Sequence, residues 1–293
     1  MKKLMCLFLM MVITMGLIGC GQAKEASKDI NENQEVDAAA DGDSTKDSED
    51  GTVDSEEDDK EDADKPVDED KQFIVMGTNA EFPPFEYIAG GEVTGFDVDI
   101  AKKIAEKLGL ELKIENMQFS GLIAALQTKK IDFIAAGMTN TEERAKSVNF
   151  SQDYFEASQV IIVKKDSDAV KGKADLEGKK IGVQLGTTGE MEAKEIADAT
   201  VESYDAGFAA VMDLANGKLD AVVIDQKPAE KFVSKNDKVM ILEEELTKEA
   251  YAIAVNKEDD ALLDTINQVI QELQESGEYD ALYEKYFGEQ EAE

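Results

Sequence analysis

Ala125-Leu126-Gln127-Thr128-Lys129-Lys130-Ile131-Asp132-Phe133-Ile134 and Asp213-Leu214-Ala215-Asn216-Gly217-Lys218-Leu219-Asp220-Ala221-Val222 read alike: helix end, basic turn, acidic residue, apolar strand. Two such units in one chain suggest two lobes built to one plan, although any helix-to-strand connection runs in this order. From Phe73 onward, short β-rich apolar runs alternate with stretches of helical period, the pattern of an α/β protein. Strands are expected at Phe73–Thr78, Leu110–Asn116, Ile131–Gly137, Val160–Lys164, Lys180–Leu185, Leu219–Ile224 and Ala250–Val255. Helices are expected at Asp97–Leu108, Gly121–Lys129, Thr141–Val148, Gly189–Ala199, Phe208–Asn216, Lys227–Lys235, Asp259–Glu275 and Glu278–Tyr286. Open α/β sheets bind ligands beyond the carboxyl ends of their strands. If the lobes are real, Gly137 and Thr139 therefore face Asp225 across a crevice.

Just past the first of these strand ends stands Met138-Thr139-Asn140-Thr141-Glu142-Glu143-Arg144. Thr139 with Glu142 fits a capping box, so a helix is expected to start here. Arg144 then offers a planar fork of donors beside the positive end of that helix, a combination suited to a carboxylate. The plainer alternative is a surface arginine pairing with Glu142 or Glu143. Asp225, at the other strand end, supplies the opposite charge, or else serves as the N-cap before Gln226-Lys227-Pro228. Arg144 and Asp225 together match an α-amino acid, carboxylate to one and ammonium to the other.

Composition narrows the function classes. The net charge of −34 argues against nucleic acid and against adhesion to anionic lipid. The chain has no histidine, which removes the commonest general base and metal ligand. No phosphate-binding Gly-x-x-x-x-Gly-Lys-Ser motif is present, so no ATP hydrolysis is expected. Lys2 and Lys3 precede an apolar run, Leu4 to Ile18, that is too short to span a bilayer and reads as a secretory signal. Leu17-Ile18-Gly19-Cys20 resembles the lipobox of bacterial lipoproteins, which implies cleavage after residue 19 and a lipid such as palmitate on Cys20. Cys6 leaves with the signal, and no thiol remains for a disulfide or metal site. Residues 21–71 are rich in Asp, Glu, Ser and Lys and nearly free of bulky apolar residues, so they read as a tether with an r.m.s. reach of roughly 40 Å. Its acidic run Asp54 to Asp59 reads as solvated spacer, with weak calcium binding as the alternative.

The folded part resembles the bacterial extracellular solute-binding proteins of polar amino-acid ABC transporters, close to the glutamine-, histidine- and arginine-binding proteins. The likeness runs from Gly77 to Phe287. Gly77-Thr78-Asn79-Ala80-Glu81-Phe82-Pro83-Pro84-Phe85-Glu86-Tyr87 is similar to the family's first ligand loop, and Gly95-Phe96-Asp97-Val98-Asp99-Ile100-Ala101 to its most recognisable signature. Phe119-Ser120-Gly121-Leu122-Ile123, the stretch from Gly137 to Arg144, Gln184-Leu185-Gly186-Thr187-Thr188-Gly189 and Ala221-Val222-Val223-Ile224-Asp225 follow in the family's order. The resemblance implies that Arg144, with groups of Gly137 and Thr139, holds the ligand carboxylate, aided by backbone N–H groups around Thr187 and Thr188. Asp225 takes the ammonium. Phe82 and Phe119 flank the ligand side chain, with core packing as the alternative role for each. Gly95-Phe96-Asp97 is expected to be a turn, a buried ring and a helix cap. Asn79 stands where relatives that bind basic side chains, and the glutamine binder, carry aspartate; Gln184 stands where some carry lysine. A neutral polar ligand such as glutamine or cystine is therefore expected, with Glu81 and Glu86 near enough in sequence to weigh against it.

The expected fold is a two-lobed, type II periplasmic-binding-protein-like α/β fold, its cleft lying between lobes joined by two crossing strands near Phe155–Gln159 and Glu249–Ala252. Lobe 1 comprises residues 72–157 and 253–293, and lobe 2 residues 158–252. The expected function is a monomeric receptor, lipid-anchored on the extracellular face of the membrane. It would capture an L-amino acid by lobe closure and deliver it to an ABC permease driven by a separate ATPase, using no cofactor or metal. Two rivals stand beside it. One is a secreted cyclohexadienyl or arogenate dehydratase-like enzyme, which needs a carboxyl or tyrosine proton donor that the sequence does not reveal. The other is a bilobal sensor or adhesin.

Overall fold

The computed structural model describes residues 72–288; the signal segment, Cys20 and the tether lie outside the described residues. The first part of the chain runs through β1 (Phe73–Thr78), β2 (Glu81–Phe82), β3 (Glu86–Ala89), β4 (Glu92–Thr94), α1 (Phe96–Leu108), β5 (Glu111–Asn116), α2 (Leu122–Gln127), β6 (Phe133–Ile134), α3 (Glu142–Ala145) and β7 (Asn149–Phe150). After β8 (Phe155–Ala157) follow β9 (Gln159–Lys164), β10 (Lys180–Gln184), α4 (Thr188–Lys194), β11 (Thr200–Tyr204), α5 (Gly207–Ala215), β12 (Ala221–Asp225), α6 (Gln226–Ser234) and β13 (Val239–Glu245). The chain then returns through β14 (Glu249–Tyr251) and β15 (Ala254–Val255) to α7 (Asp260–Ser276) and α8 (Glu278–Phe287).

These strands build two five-stranded sheets of one pattern, β5-β1-β6-β15-β7 and β11-β10-β12-β9-β13. In each, one strand (β1 or β10) pairs in parallel with the next two strands of its sheet in sequence (β5 and β6, or β11 and β12), and an antiparallel strand (β15 or β9) lies beside the second of these. The sequence echo has a physical basis in this plan. Asp132 donates its N–H to the Val75 carbonyl at 2.8 Å and accepts from Val75 N–H on its carboxylate at 2.7 Å. Asp220 does the same to Lys180, at 2.9 and 2.8 Å. The preceding turn needs a left-handed residue in both places: Gly217 has φ +76°, and Lys129 takes φ +57° where glycine would be cheaper.

Apolar residues that alternate or run continuously along the strands fill the interior, and the inner strands β6, β9 and β12 are buried almost throughout. β8 and β14 pair antiparallel as the two crossing strands, with Tyr251 opposite Phe155. Their rings stack at 5.7 Å, and Phe85 and Phe287 close on Phe155 at 4.8 and 5.0 Å. Burying so much aromatic surface fixes where the crossing strands leave each sheet.

Several elements differ from the sequence reading. The helix expected over 141–148 is a single turn, α3, and its cap is Thr141, whose hydroxyl oxygen accepts from Arg144 N–H at 3.2 Å. Thr139 is therefore not the capping residue, and a one-turn helix adds little dipole. The helix expected over 189–199 stops at Lys194. The strand expected over 250–255 divides into β14 and β15, because the chain leaves the crossing pair for the first sheet at Ala252 and Ile253. β2–β4, β7, β11 and β13 were not expected; their short or charged runs carry little period-2 signal.

Candidate ligand-binding site

Asn79, Phe82, Phe119, Gly137, Thr139, Arg144, Gln184, Thr187, Thr188 and Asp225 line one cavity, joined there by Glu86 and Ala136. The first six come from loops beyond the strands of the first sheet, and Gln184 to Asp225 from strand ends and helix starts of the second. The fold thus brings together the ten residues that the sequence reading assigned to the ligand.

Arg144 is buried, not a surface residue. Its guanidinium donates to the Thr139 carbonyl at 2.7 Å and to the Gly186 carbonyl, on the opposite lobe, at 2.9 Å. Two backbone oxygens are thus satisfied while further N–H groups of the fork stay available to a ligand carboxylate. Its ring neighbour is Phe119, whose centroid lies 5.3 Å from the guanidinium carbon. Burial lowers the Arg144 pKa, while the charges of Asp225 and Glu249 raise it.

The facing turn is held from behind. Gly186 has φ +82° and packs against Ser120, and its N–H donates to the Glu190 carboxylate at 2.8 Å. Glu190 also accepts from Ser203 at 2.6 Å and pairs with Lys194 at 3.0 Å. Although burial pushes its pKa up, these bonds hold it below the usual range. Thr187 caps α4, accepting from Glu190 N–H at 3.3 Å.

Asp225 occupies the N-cap position of α6, yet its side chain makes no capping bond. It accepts instead from the Tyr251 hydroxyl at 2.5 Å. Burial, then the charge of Glu249, pushes its carboxyl up to about 7 against the bonds from Tyr251 and Gln159. An ammonium group placed against it relieves that penalty, which is how such a carboxyl favours a cation.

Glu86, which the sequence reading set against a neutral ligand, lines the cavity, and Asp97, read there as a helix cap, contacts Gly137 of its lining. Glu86, on β3, is fully buried, and neither carboxyl oxygen has a conventional donor; the same holds for Oδ1 of Asp97. Glu86 is pushed well above the carboxylate range, by burial first and by the neighbouring Asp97 second. Asp97 is not the expected helix cap. It lies inside α1, accepts from Gly137 N–H at 2.8 Å and from Tyr154 at 2.7 Å, and burial pushes it up to about 6. Asn79 is bonded at both ends of its amide: it donates to the Met117 carbonyl at 3.0 Å and its oxygen accepts from Gln184 at 2.9 Å, a bond from lobe to lobe. The Gln184 oxygen has no partner. Raised carboxyls of the kind the dehydratase reading lacked are therefore present.

Phe82 is buried and lies against Gly137, where an added Cβ would meet its ring at 2.8 Å; Gly137 also has φ +52°. Phe119 is only half-buried, at the start of a short 3-10 turn. Both rings line the cavity, and Phe82 also packs on Phe85.

Known proteins resemble this chain in sequence and in fold. The arginine-binding extracellular protein ArtP of Bacillus subtilis (strain 168) is 35% identical over 222 residues, 74% of this chain and 87% of ArtP. The structure of holo ArgBP from T. maritima superposes with a TM-score of 0.68 at 50% identity, covering 73% of this chain and 96% of that one. An ancestral arginine-binding protein bound to glutamine gives 0.71 at 46%, covering 75% and 99%. Residues 74–289 match the family profile across both sheets and the cavity between them, and the chain belongs to the bacterial extracellular solute-binding proteins, family 3.

Proposed function

We propose that this amino-acid-binding component of an ABC transporter takes L-arginine as its preferred ligand. The observation that carries the reading is the state of the acceptors on the cavity wall. Glu86 and Gln184 present oxygens without conventional donors, while both ends of the Asn79 amide are engaged. A guanidinium has five donors and no acceptor, so everything it brings can meet these oxygens; a carboxamide brings only two donors and satisfies fewer of them. Arg144 takes the α-carboxylate, with backbone N–H groups near Thr187 and Thr188, and Asp225 takes the α-ammonium. Phe82 and Phe119 cover the aliphatic stem.

The neutral polar ligand expected from Asn79 and Gln184 is the second choice. Calorimetric titration of refolded, ligand-stripped protein with L-arginine, L-glutamine and L-cystine decides between them. Tightest binding of arginine, weakened in Glu86→Gln, supports the assignment; glutamine or cystine binding tighter than arginine overturns it.

Closure of the lobes on the ligand follows from its differential affinity for the closed state. In this reading the receptor is a monomer, held by lipid on Cys20 at the extracellular face, with residues 20–71 as its tether, and it presents the closed form to a permease served by a separate ATPase. Lobe 1 comprises residues 72–157 and 253–293, and lobe 2 residues 158–252. One observation favours the dehydratase-like alternative: Asp225 and Glu86 are acids with raised pKa values on the cavity wall. Incubation with prephenate or arogenate tests it, and formation of aromatic product would move the chain to the enzymes.

A further inference from the structure

Thr139 and Thr188 reach the cavity from opposite lobes, yet both hydroxyls donate to one oxygen. Oε2 of Glu249 accepts from Thr139 at 2.7 Å and from Thr188 at 2.8 Å, and Gln159 Nε2, 3.5 Å from it, donates to Thr188 Oγ1 at 3.0 Å, which leaves that hydroxyl one lone pair. Its other oxygen accepts from Thr247 at 2.8 Å. Thr139 and Thr188 line the cavity and Glu249 does not, so the acid acts from behind them.

A hydroxyl has a single proton and two lone pairs. Once that proton is committed to a carboxylate, the hydroxyl has only lone pairs to offer a ligand. We propose that Glu249 sets the hydrogen-bond polarity of the site: it makes Thr139 and Thr188 obligate acceptors, so the cavity selects an α-ammonium and rejects a ligand with no N–H donors there. Glu249 is a positioning residue in this role. The inference rests on the amino-acid reading of the cavity.

The backbone shows when the setting is complete. β14 is tied to the Thr139 segment through Ala252 N–H to the Met138 carbonyl at 3.0 Å and Asn140 N–H to the Ala250 carbonyl at 3.2 Å. Glu249 stands on a crossing strand, bonded to Thr139 on one side and to Thr188 of the second sheet on the other. The second acceptor is fixed only when the lobes meet, so the preference for an ammonium group is assembled by closure.

The test compares an amino acid with its deamino analogue, by calorimetry on the full chain stripped of ligand. The probes are L-arginine against 5-guanidinopentanoate, and L-glutamine against 5-amino-5-oxopentanoate. Wild-type protein favours the amino acid in each pair. In Glu249→Gln, whose amide can itself donate to the threonines, the ratio of affinities contracts by about tenfold, the scale of one hydrogen bond to a charged group. Thr188→Val removes one acceptor with Glu249 left in place and contracts the same ratio, which covers the case of a poorly folded Glu249 variant. A ratio unchanged in Thr188→Val and in folded Glu249→Gln, with both ligands weakened equally, marks Glu249 as a mere clamp and overturns the inference alone. Wild-type protein that binds no amino acid overturns both this and the reading beneath it.

Discussion

Replacing Asp225 by asparagine should make the protein more stable where it makes it useless. Asp225 is fully buried, and its carboxyl is pushed from 3.8 up to about 7, by burial first and the charge of Glu249 second. Between those values the folded chain keeps a proton that the unfolded chain has released. Stability therefore falls as pH rises through this window, and the whole penalty is present above pH 7. A shift of roughly 3 pH units at about 1.4 kcal/mol each gives a penalty on the order of 4 kcal/mol at pH 8, of which about 2–3 kcal/mol accrues between pH 5 and pH 8. Asparagine carries no charge, yet its oxygen still accepts from Tyr251. Urea unfolding of ligand-stripped wild type and Asp225→Asn at both pH values measures the gap. The variant should gain about 2–3 kcal/mol on wild type from pH 5 to pH 8, or roughly 5–10 °C in Tm for a chain of this size, while losing amino-acid binding. A gap that stays constant, or that moves against the variant as pH rises, would refute the assignment of the buried charge.

Arg144→Lys keeps the charge but loses the fork that reaches Thr139 and Gly186, so affinity should fall roughly a hundredfold, read by calorimetry. Binding should also release protons. At pH 6 either amino acid displaces the proton on Asp225, and arginine displaces a further one from Glu86, so affinity rises with pH and arginine releases more protons than glutamine. The dependence of binding heat on buffer ionisation enthalpy counts them, and equal release by both ligands would argue against a guanidinium at Glu86. Gly137→Ala forces a Cβ to 2.8 Å from the Phe82 ring at a φ of +52°. It should weaken binding more than tenfold while costing about 1–2 kcal/mol of stability, seen in thermal unfolding.

Much of this was legible in the residues because periodicity and strand-end chemistry survive in linear order. Asp132 and Asp220 sit at equal places in two equal units, so the repeat appears in the sequence as it does in the sheets. Arg144 and Asp225 could be paired because both follow apolar strands. What the sequence hid were contacts made by topology alone. Glu86 lies on a strand bracketed by Pro83-Pro84 and Gly90-Gly91, and nothing local says that its carboxyl turns inward onto Asp97, eleven positions on. Asp97 in turn looks like a helix cap from its position after Gly95, yet its partner is the N–H of Gly137. The cap itself was misplaced by two residues because Thr139 and Thr141 are chemically equivalent; only the path of the backbone commits one to Arg144 N–H and the other to Glu249. Glu249 was recognisable as part of a crossing strand, not as the acceptor shared by both lobes.

The ring of Tyr251 has an optical consequence. The chain contains no tryptophan, so ultraviolet emission and near-ultraviolet dichroism come from phenol rings without a brighter chromophore to mask them. Tyr251 lies on a crossing strand, stacked on Phe155, with its hydroxyl on the Asp225 carboxylate. Neutralising that carboxylate with an ammonium group, or drawing the two apart as the lobes part, changes the electronic surroundings of this one phenol. The molecule thus carries its own unlabelled reporter at the point where ligand charge and lobe motion meet.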